Sequence, residues 1–357
     1  MCMKLHILPI ITKPAHYIIN LIKPLKCPTI IYKKNMLRFK VCTNRDQFLH
    51  TGPPPGTLPP DQTTDMIAFL AAGEPARKAV QKSLDSVDAD KVKADPDQAG
   101  LPLRPRSMRA FMLWESHMIA SSRVLVKRFF PPPAAKVVAG FEKVTGKTFP
   151  KLKPNRRFYE KPTFYVANHA AVIADGDPMW WPSHTKFLDF ELELAFVIGK
   201  PIADASPEEA ADAVGGWFVL NDWSARDVQA DDARENIFGP VVKSKTFANS
   251  IGCDVITPDE LPDWQKATGR VRVDGEQWCE GTTAGAAHDI GAMLAYASAG
   301  ECLMPGDVIS TGTVPGCCGL ELDRWIQPGQ TVELEIDGIG TLTNRIDAEA
   351  RPVSIAG

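Results

Sequence analysis

Cysteine is scarce and unpaired in this chain. The eight residues, at positions 2, 27, 42, 253, 279, 302, 317 and 318, include no C-x-x-C pair, and a protein of 357 residues does not need disulfide staples. The reading is a reducing, cytoplasmic compartment. The adjacent Cys317 and Cys318 have no third or fourth sulfur or histidine at zinc-site spacing, so they are read as buried or loop thiols. Long apolar runs are missing too. Lys and Pro interrupt every candidate well short of the roughly 20 residues that span a bilayer, which excludes a membrane-spanning helix. The body of the chain carries no long Lys/Arg cluster and the formal net charge is -3, which argues against nucleic acid as the main partner. A small molecule is the default partner, and no internal repeat is visible.

What is present suffices for a core: hydrophobic residues make up 44% of the chain. Residues 1–50 stand apart, with nine Lys/Arg against the single Asp46 and prolines at 9, 14, 24 and 28. They are read first as an unpacked extension, then as an organelle-targeting segment, and last as a lipid-surface helix, which the prolines oppose. TGPPPGTLPP at 51–60 is a stiff Pro/Gly linker. A small helical cap is expected over 61–104 and the catalytic domain over 105–350.

Beyond about residue 156 the pattern is mainly β. LDFELELAFVIG alternates, GWFVLND is a buried run, and RVRVDGEQW reads as two strands around an Asp-Gly turn. PGDVISTGT adds a strand and TVELEIDGIGTLTNRI a hairpin. Two helices are expected there, one at Ser206-Pro207 with Ser as N-cap, one after His288. The fold class is therefore mainly β (α+β), with short helices, rather than a doubly wound α/β fold.

Alternation places Asp189, Glu191 and Glu193 on one strand face. Such crowding is relieved by solvent, by Lys/Arg partners, or by a hard cation that takes carboxylate oxygens. A second acidic group follows in NDWSARDVQ, where Asp222 ends a buried run and Arg226 and Gln229 become i,i+3 neighbours if the segment turns helically, able to grip an oxyanion or carboxylate.

Five ordered segments, LDFELELAFVIGK, NDWSARDVQ, KTFANSIG, PGDVISTGT and GLEL, together resemble the fumarylacetoacetate hydrolase superfamily. The likeness runs from about Arg109 to Ile346, two-thirds of the chain. It implies a mixed β-roll/β-sandwich catalytic domain, a homodimer, and a Mg²⁺ site, with Mn²⁺ or Ca²⁺ as substitutes, on Glu191, Glu193 and Asp222. It implies that Lys245, rather than the nearby Lys243, stabilises an oxyanion. Tyr165, Arg226, Gln229 and Thr313 fall at substrate-contacting positions. MRAFMLWESH resembles the segment supplying the catalytic histidine of the hydrolytic branch, here His117, with Glu321 as its acidic partner. His169 falls at a position without a chemical role. One departure is Ala110, where that branch usually carries a further metal-binding Asp.

The expected activity is metal-dependent cleavage of a carbon–carbon bond in a 1,3-dicarbonyl oxo-acid of fumarylacetoacetate or acylpyruvate type. The alternative is decarboxylation, hydration or isomerisation of a 2-oxo acid. A non-catalytic metal-dependent ligand-binding protein is the distant third.

Overall fold

The computed structural model describes residues 28–33, 36–41, 65–84 and 101–348. Strands β1 (Pro28–Lys33) and β2 (Met36–Val41) pair as an antiparallel hairpin, and helices α1 (Met66–Ala71) and α2 (Gly73–Leu84) follow. Strand β3 (Ser107–Met112) leads into α3 (Glu115–Phe129) and α4 (Pro132–Thr145). After α5 (Arg156–Glu160) come β4 (Thr163–Ala167) and β5 (Val172–Ala174). The centre of the molecule is built by β6 (Glu191–Ile198), α6 (Pro207–Ala211), β7 (Val214–Asp222) and α7 (Arg226–Glu235). Short β8 (Asn249–Ile251) and β9 (Val255–Ile256) precede the hairpin β10 (Thr268–Val273) and β11 (Glu276–Thr282). The chain then forms α8 (Ile290–Ser298), β12 (Asp307–Cys318), α9 (Gly319–Leu322), β13 (Thr331–Ile336) and β14 (Gly340–Asp347).

Two large mixed sheets and two short two-stranded ones result among the described residues. The larger runs β1-β2-β9-β7-β6-β12-β3-β4, with β8 joining β7 to β5; the smaller runs β11-β10-β13-β14 and ends on the short strand Met179–Trp180. The mainly β (α+β) class is thus as expected. Asp274 and Gly275, both at positive φ, make the two-residue turn that Asp-Gly favours between right-twisted strands. Ser206 forms a full capping box with Glu209 at the start of α6, and Pro207 occupies its first position.

Strand β6 is flanked by β7 and β12 and buried along its whole length. Its even-numbered residues Leu192, Leu194, Phe196 and Ile198 pack with Val271, Leu334 and Leu342 of the second sheet. Of the odd-numbered ones, Ala195 and Val197 lie under Met66, Phe69 and Leu70 of the cap helix α1. Alternation therefore sends the acids of β6 toward the cap side and its apolar residues into the inter-sheet core. Of the three ways of relieving the crowded acids, solvent is ruled out, because this strand is buried along its whole length.

Helices exceed the two expected beyond residue 156, and α3 and α4 were not anticipated. Along α3 only His117 is fully buried, so no continuous apolar stripe advertises the helix. The extension also departs from expectation in part: β2 pairs with β9 through Phe39 and Arg38, which adds the hairpin to the edge of the larger sheet. The rest of residues 1–50 and the linker at 51–60 lie outside the described residues. Among the described residues no helix is long and apolar enough to cross a membrane, and Cys253, Cys279, Cys302, Cys317 and Cys318 form no disulfide.

Candidate metal and catalytic site

Two neighbouring strands bring the three candidate metal ligands together. Glu191 and Glu193 project from β6, and Asp222 ends β7, which pairs antiparallel with β6 through Leu220 and Glu193. All three are buried, and one oxygen of each lies within 4.8 Å of the others. Beside them Lys245 Nζ donates to Glu191 Oε2 at 2.5 Å, to Asp222 Oδ2 at 2.8 Å and to Ser224 Oγ at 2.7 Å. All three ammonium donors are thereby engaged. Lys243, two residues earlier, is exposed, as is His169.

Arg226 opens α7, and each nitrogen of its guanidinium has a protein partner: Nε donates to Asp189 Oδ2 at 2.7 Å, while the two terminal nitrogens reach Glu191 Oε1 and Gln229 Oε1, each at 2.8 Å. The helical turn that makes Arg226 and Gln229 neighbours is present, and they bond each other. Asp189 is not part of the carboxylate triad. Its two oxygens accept the backbone N–H of Gly319 and Leu320 at 2.9 Å each, tying β6 to α9. A Cβ on Gly319 would stand 2.3 Å from Asp189 Oδ1, so this junction requires glycine.

Glu193 is held by β12, where Ser310 donates to Oε2 and Thr313 approaches Oε1 at 3.5 Å. Residues three apart on a regular strand face opposite ways. A register shift between Ser310 and Thr313 brings both hydroxyls to one face. Gly312 at φ 98 makes that bulge, with Phe111 O only 2.4 Å from where a Cβ would sit. Tyr165 on β4 donates its hydroxyl to Asp222 Oδ2 at 2.5 Å. Between these partners stands Ala110, opposite Ser310 on one side and Tyr165 on the other. Directly paired residues share a sheet face, so Ala110 faces the acids as well.

Electrostatics separates the three ligands. Burial pushes the Glu191 carboxyl up, but Lys245 and Arg226 outweigh it and hold Glu191 well below the usual carboxylate range. Glu193 goes the other way: burial, Asp222 and Glu191 all push it well above the ordinary glutamate value. Burial also raises Asp222 despite Lys245. It raises the Tyr165 phenol too, with Asp222 and Glu193 adding to the effect, so Tyr165 acts as a donor and not as a base.

This cluster suits a divalent cation. Four carboxyl groups, Asp189, Glu191, Glu193 and Asp222, share buried space with two cations, Arg226 and Lys245. Full ionisation would leave two negative charges uncompensated. Asp222 Oδ1 is buried without any partner, and an all-oxygen donor set is the one hard cations prefer. Because a cation must displace the proton that Glu193 retains, Mg²⁺ affinity is expected to fall as pH drops through the range above the ordinary glutamate value. The limit is about tenfold per pH unit for one proton displaced. Calorimetric titration of Mg²⁺ at several pH values checks this, and a flat profile would remove Glu193 from the ligand set.

The second half of the site is a pair. His117, in the first turn of α3, places Nδ1 2.6 Å from Glu321 Oε1. The Gly316 N–H lies 3.1 Å from each Glu321 oxygen. With Glu321 ionised, Nδ1 carries the proton and Nε2 keeps its lone pair as a potential base. Sequence reading overlooked Asp189 as an anchor, Ser224 and Ser310 as hydroxyl partners, and Cys318 as a neighbour of this pair. A different cavity, of about 420 Å³, is lined by Trp217, Trp264 and Pro258. Its carboxylates are Glu208 and Asp289, and Asp289 is committed to capping α8. The candidate chemistry therefore resides in the carboxylate cluster.

A family model described as the fumarylacetoacetate hydrolase C-terminal domain matches residues 139–347. That span includes every candidate residue above except Ala110 and His117. A 4-hydroxyphenylacetate degradation bifunctional isomerase/decarboxylase from Escherichia coli is 30% identical over 246 residues, covering 64% of this chain and 55% of that protein. The chain thus spans about half the length of that relative. The solved 5-carboxymethyl-2-hydroxymuconate delta-isomerase from Mycobacterium smegmatis is 25% identical with a TM-score of 0.50, covering 70% of this chain and 82% of the other. A fumarylacetoacetate hydrolase from Exiguobacterium antarcticum shares the fold at TM-score 0.57 and 22% identity, covering 91% and 100%.

Proposed function

The chain belongs to the fumarylacetoacetate hydrolase family, and from that membership we propose that it is a Mg²⁺-dependent hydrolase cleaving a carbon–carbon bond in a 1,3-dicarbonyl acid of fumarylacetoacetate or acylpyruvate type. The observation that carries this reading is the buried His117–Glu321 pair. An enzyme that only enolises or decarboxylates has less need of a dedicated base for water.

Glu191, Glu193 and Asp222 would hold the cation, which supplies Lewis-acid polarisation of the substrate oxygens. His117, with Nδ1 committed to Glu321, takes a proton from water at Nε2 as the water oxygen bonds to the carbonyl carbon. The Lys245 ammonium and the Tyr165 hydroxyl lie on the side of Asp222 and supply positive potential toward the developing oxyanion. Collapse breaks the carbon–carbon bond, its electron pair goes into the enolate of the departing ketone, and His117 returns the proton. A carboxylic acid and a ketone or oxo-acid leave. Arg226 keeps Glu191 and Gln229 in place and so sets the geometry.

A second reading, isomerase or decarboxylase, is favoured by the Escherichia coli relative and by Ala110. Incubation with acylpyruvate, fumarylacetoacetate and oxaloacetate, with and without Mg²⁺, separates the two. Two products from the 1,3-dicarbonyl acids support hydrolysis; a change of enol absorbance alone, or carbon dioxide release, supports the second reading. Ala110→Asp is expected to tighten Mg²⁺ roughly tenfold, about 1.4 kcal/mol, because the new carboxylate would face Ser310 and Tyr165 beside the acids. Titrating Mg²⁺ against activity checks it, and weaker binding would show that position 110 does not reach the cation.

A further inference from the structure

We propose that His117, Cys318 and Glu321 form a second metal site, adjacent to the carboxylate site and selective for thiophilic divalent ions such as Zn²⁺. Their ligand atoms lie within 4.8 Å of one another. Cys318 Sγ is 3.6 Å from Glu321 Oε1, which in turn is 2.6 Å from His117 Nδ1. All three side chains are buried or nearly so. From sequence these cysteines had no partner for a metal, because the histidine is about 200 residues distant. The fold supplies it.

The vicinal cysteines divide between two environments. Successive residues of β12 alternate faces: Cys317 turns to the core, with Sγ 3.9 Å from Gly269 O, whereas Cys318 stands directly opposite Glu191. Sulfur, imidazole nitrogen and carboxylate oxygen together make a mixed donor set that matches Zn²⁺. Three protein ligands leave the fourth position open to water. The Glu191–Glu193–Asp222 cluster offers only oxygen and suits Mg²⁺. The two sites thus differ in hardness, and a thiophilic ion enters the His117–Cys318–Glu321 site without displacing Mg²⁺ from the carboxylate site.

Occupancy has a defined chemical consequence. As the ion bonds to Nδ1, the imidazole proton moves to Nε2 and the Cys318 thiol proton leaves to solvent. His117 then has no lone pair for water. Inhibition of hydrolysis rests on the function proposed above; the metal site itself does not.

The test is Co²⁺ titration of the full-length protein in excess Mg²⁺, followed by absorption. The expected result is a thiolate-to-cobalt charge-transfer band that saturates near about one equivalent and is bleached by Zn²⁺. It should vanish in Cys318→Ser and persist in Cys302→Ser, which removes the one exposed thiol among the described residues. His117→Ala keeps the thiol and should weaken Co²⁺ by roughly tenfold or more, so the proposal stays testable if Cys318→Ser folds poorly. In turnover assays with saturating Mg²⁺, Zn²⁺ should inhibit the wild type, and the half-inhibiting concentration should rise roughly tenfold in Cys318→Ser. Absence of the band in the wild type, its survival in Cys318→Ser, or unchanged Co²⁺ affinity in His117→Ala would each overturn the site. Should no hydrolysis be found with any substrate, the spectrum still decides the metal site.

Discussion

Glu193→Gln should abolish metal-dependent turnover and at the same time raise the melting temperature of the metal-free protein. The loss follows from removing one of the three carboxylates proposed to hold a cation, whose polarisation of the substrate would be worth several kcal/mol and so roughly three orders of magnitude in rate. The gain follows from the charge balance. Glu193 is pushed well above its usual range by burial and by Asp222 and Glu191. It binds its proton more tightly folded than unfolded, so its ionisation opposes folding. That penalty grows as pH rises from the unfolded glutamate value and is complete above the raised folded value. A neutral amide can keep an acceptor for the Ser310 hydroxyl and never ionises, so at neutral pH the variant should melt about 2 °C or more higher.

Glu191→Gln should be equally inactive but less stable without metal, because Glu191 is the acid that Lys245 and Arg226 grip. Its removal leaves two buried cations under-compensated, at a cost on the order of 3 kcal/mol. Differential scanning calorimetry without metal, alongside Mg²⁺-dependent assays, checks both variants. Equal shifts in melting temperature would mean that the two glutamates are electrostatically equivalent, contrary to the arrangement described.

His117→Ala is expected to lower hydrolytic turnover by roughly two to four orders of magnitude, the usual worth of a positioned base, with Mg²⁺ affinity nearly unchanged. The ring of His117 hydrogen-bonds Glu321 rather than the carboxylates that would hold the cation. The result to look for is a fall in kcat for two-product cleavage with a preserved Mg²⁺ midpoint. If enolisation or decarboxylation continued at full rate while no cleavage occurred in either protein, the isomerase/decarboxylase reading would replace the hydrolase. Glu321→Gln should give a smaller loss in the same direction, since the amide can still orient the ring but stabilises the imidazolium poorly.

Much of the acidic cluster was legible in the chain. Alternation in LDFELELAFVIG put three acids on one side, and the abrupt polar end of GWFVLND put Asp222 at a strand terminus; both are local patterns of period two. The role of Asp189 was not legible. It shares the face of Glu191 but is consumed by Arg226, 37 residues away, and by two backbone N–H groups of α9, 130 and 131 residues away. Nor could the strand pattern of PGDVISTGT show that Ser310 and Thr313 both reach Glu193, because a bulge reverses the face that plain alternation would assign. Nor did the sequence show that Arg226 also grips Asp189, Glu191 and Gln229.

By itself the sequence determined the mainly β class, the family resemblance, and the residues able to take part in metal and proton chemistry. These depend on periodicity and on short motifs, which neighbouring residues carry among themselves. Only the tertiary structure decided how those groups share charge. It made Glu191 the acid that Lys245 and Arg226 hold ionised and Glu193 the acid whose protonated form burial, Asp222 and Glu191 favour. It also brought His117, Cys318 and Glu321 together from opposite ends of the catalytic domain. The physical reason is that desolvation and Coulomb terms act through space over a few ångströms, and sequence separation carries no information about which side chains meet at that range.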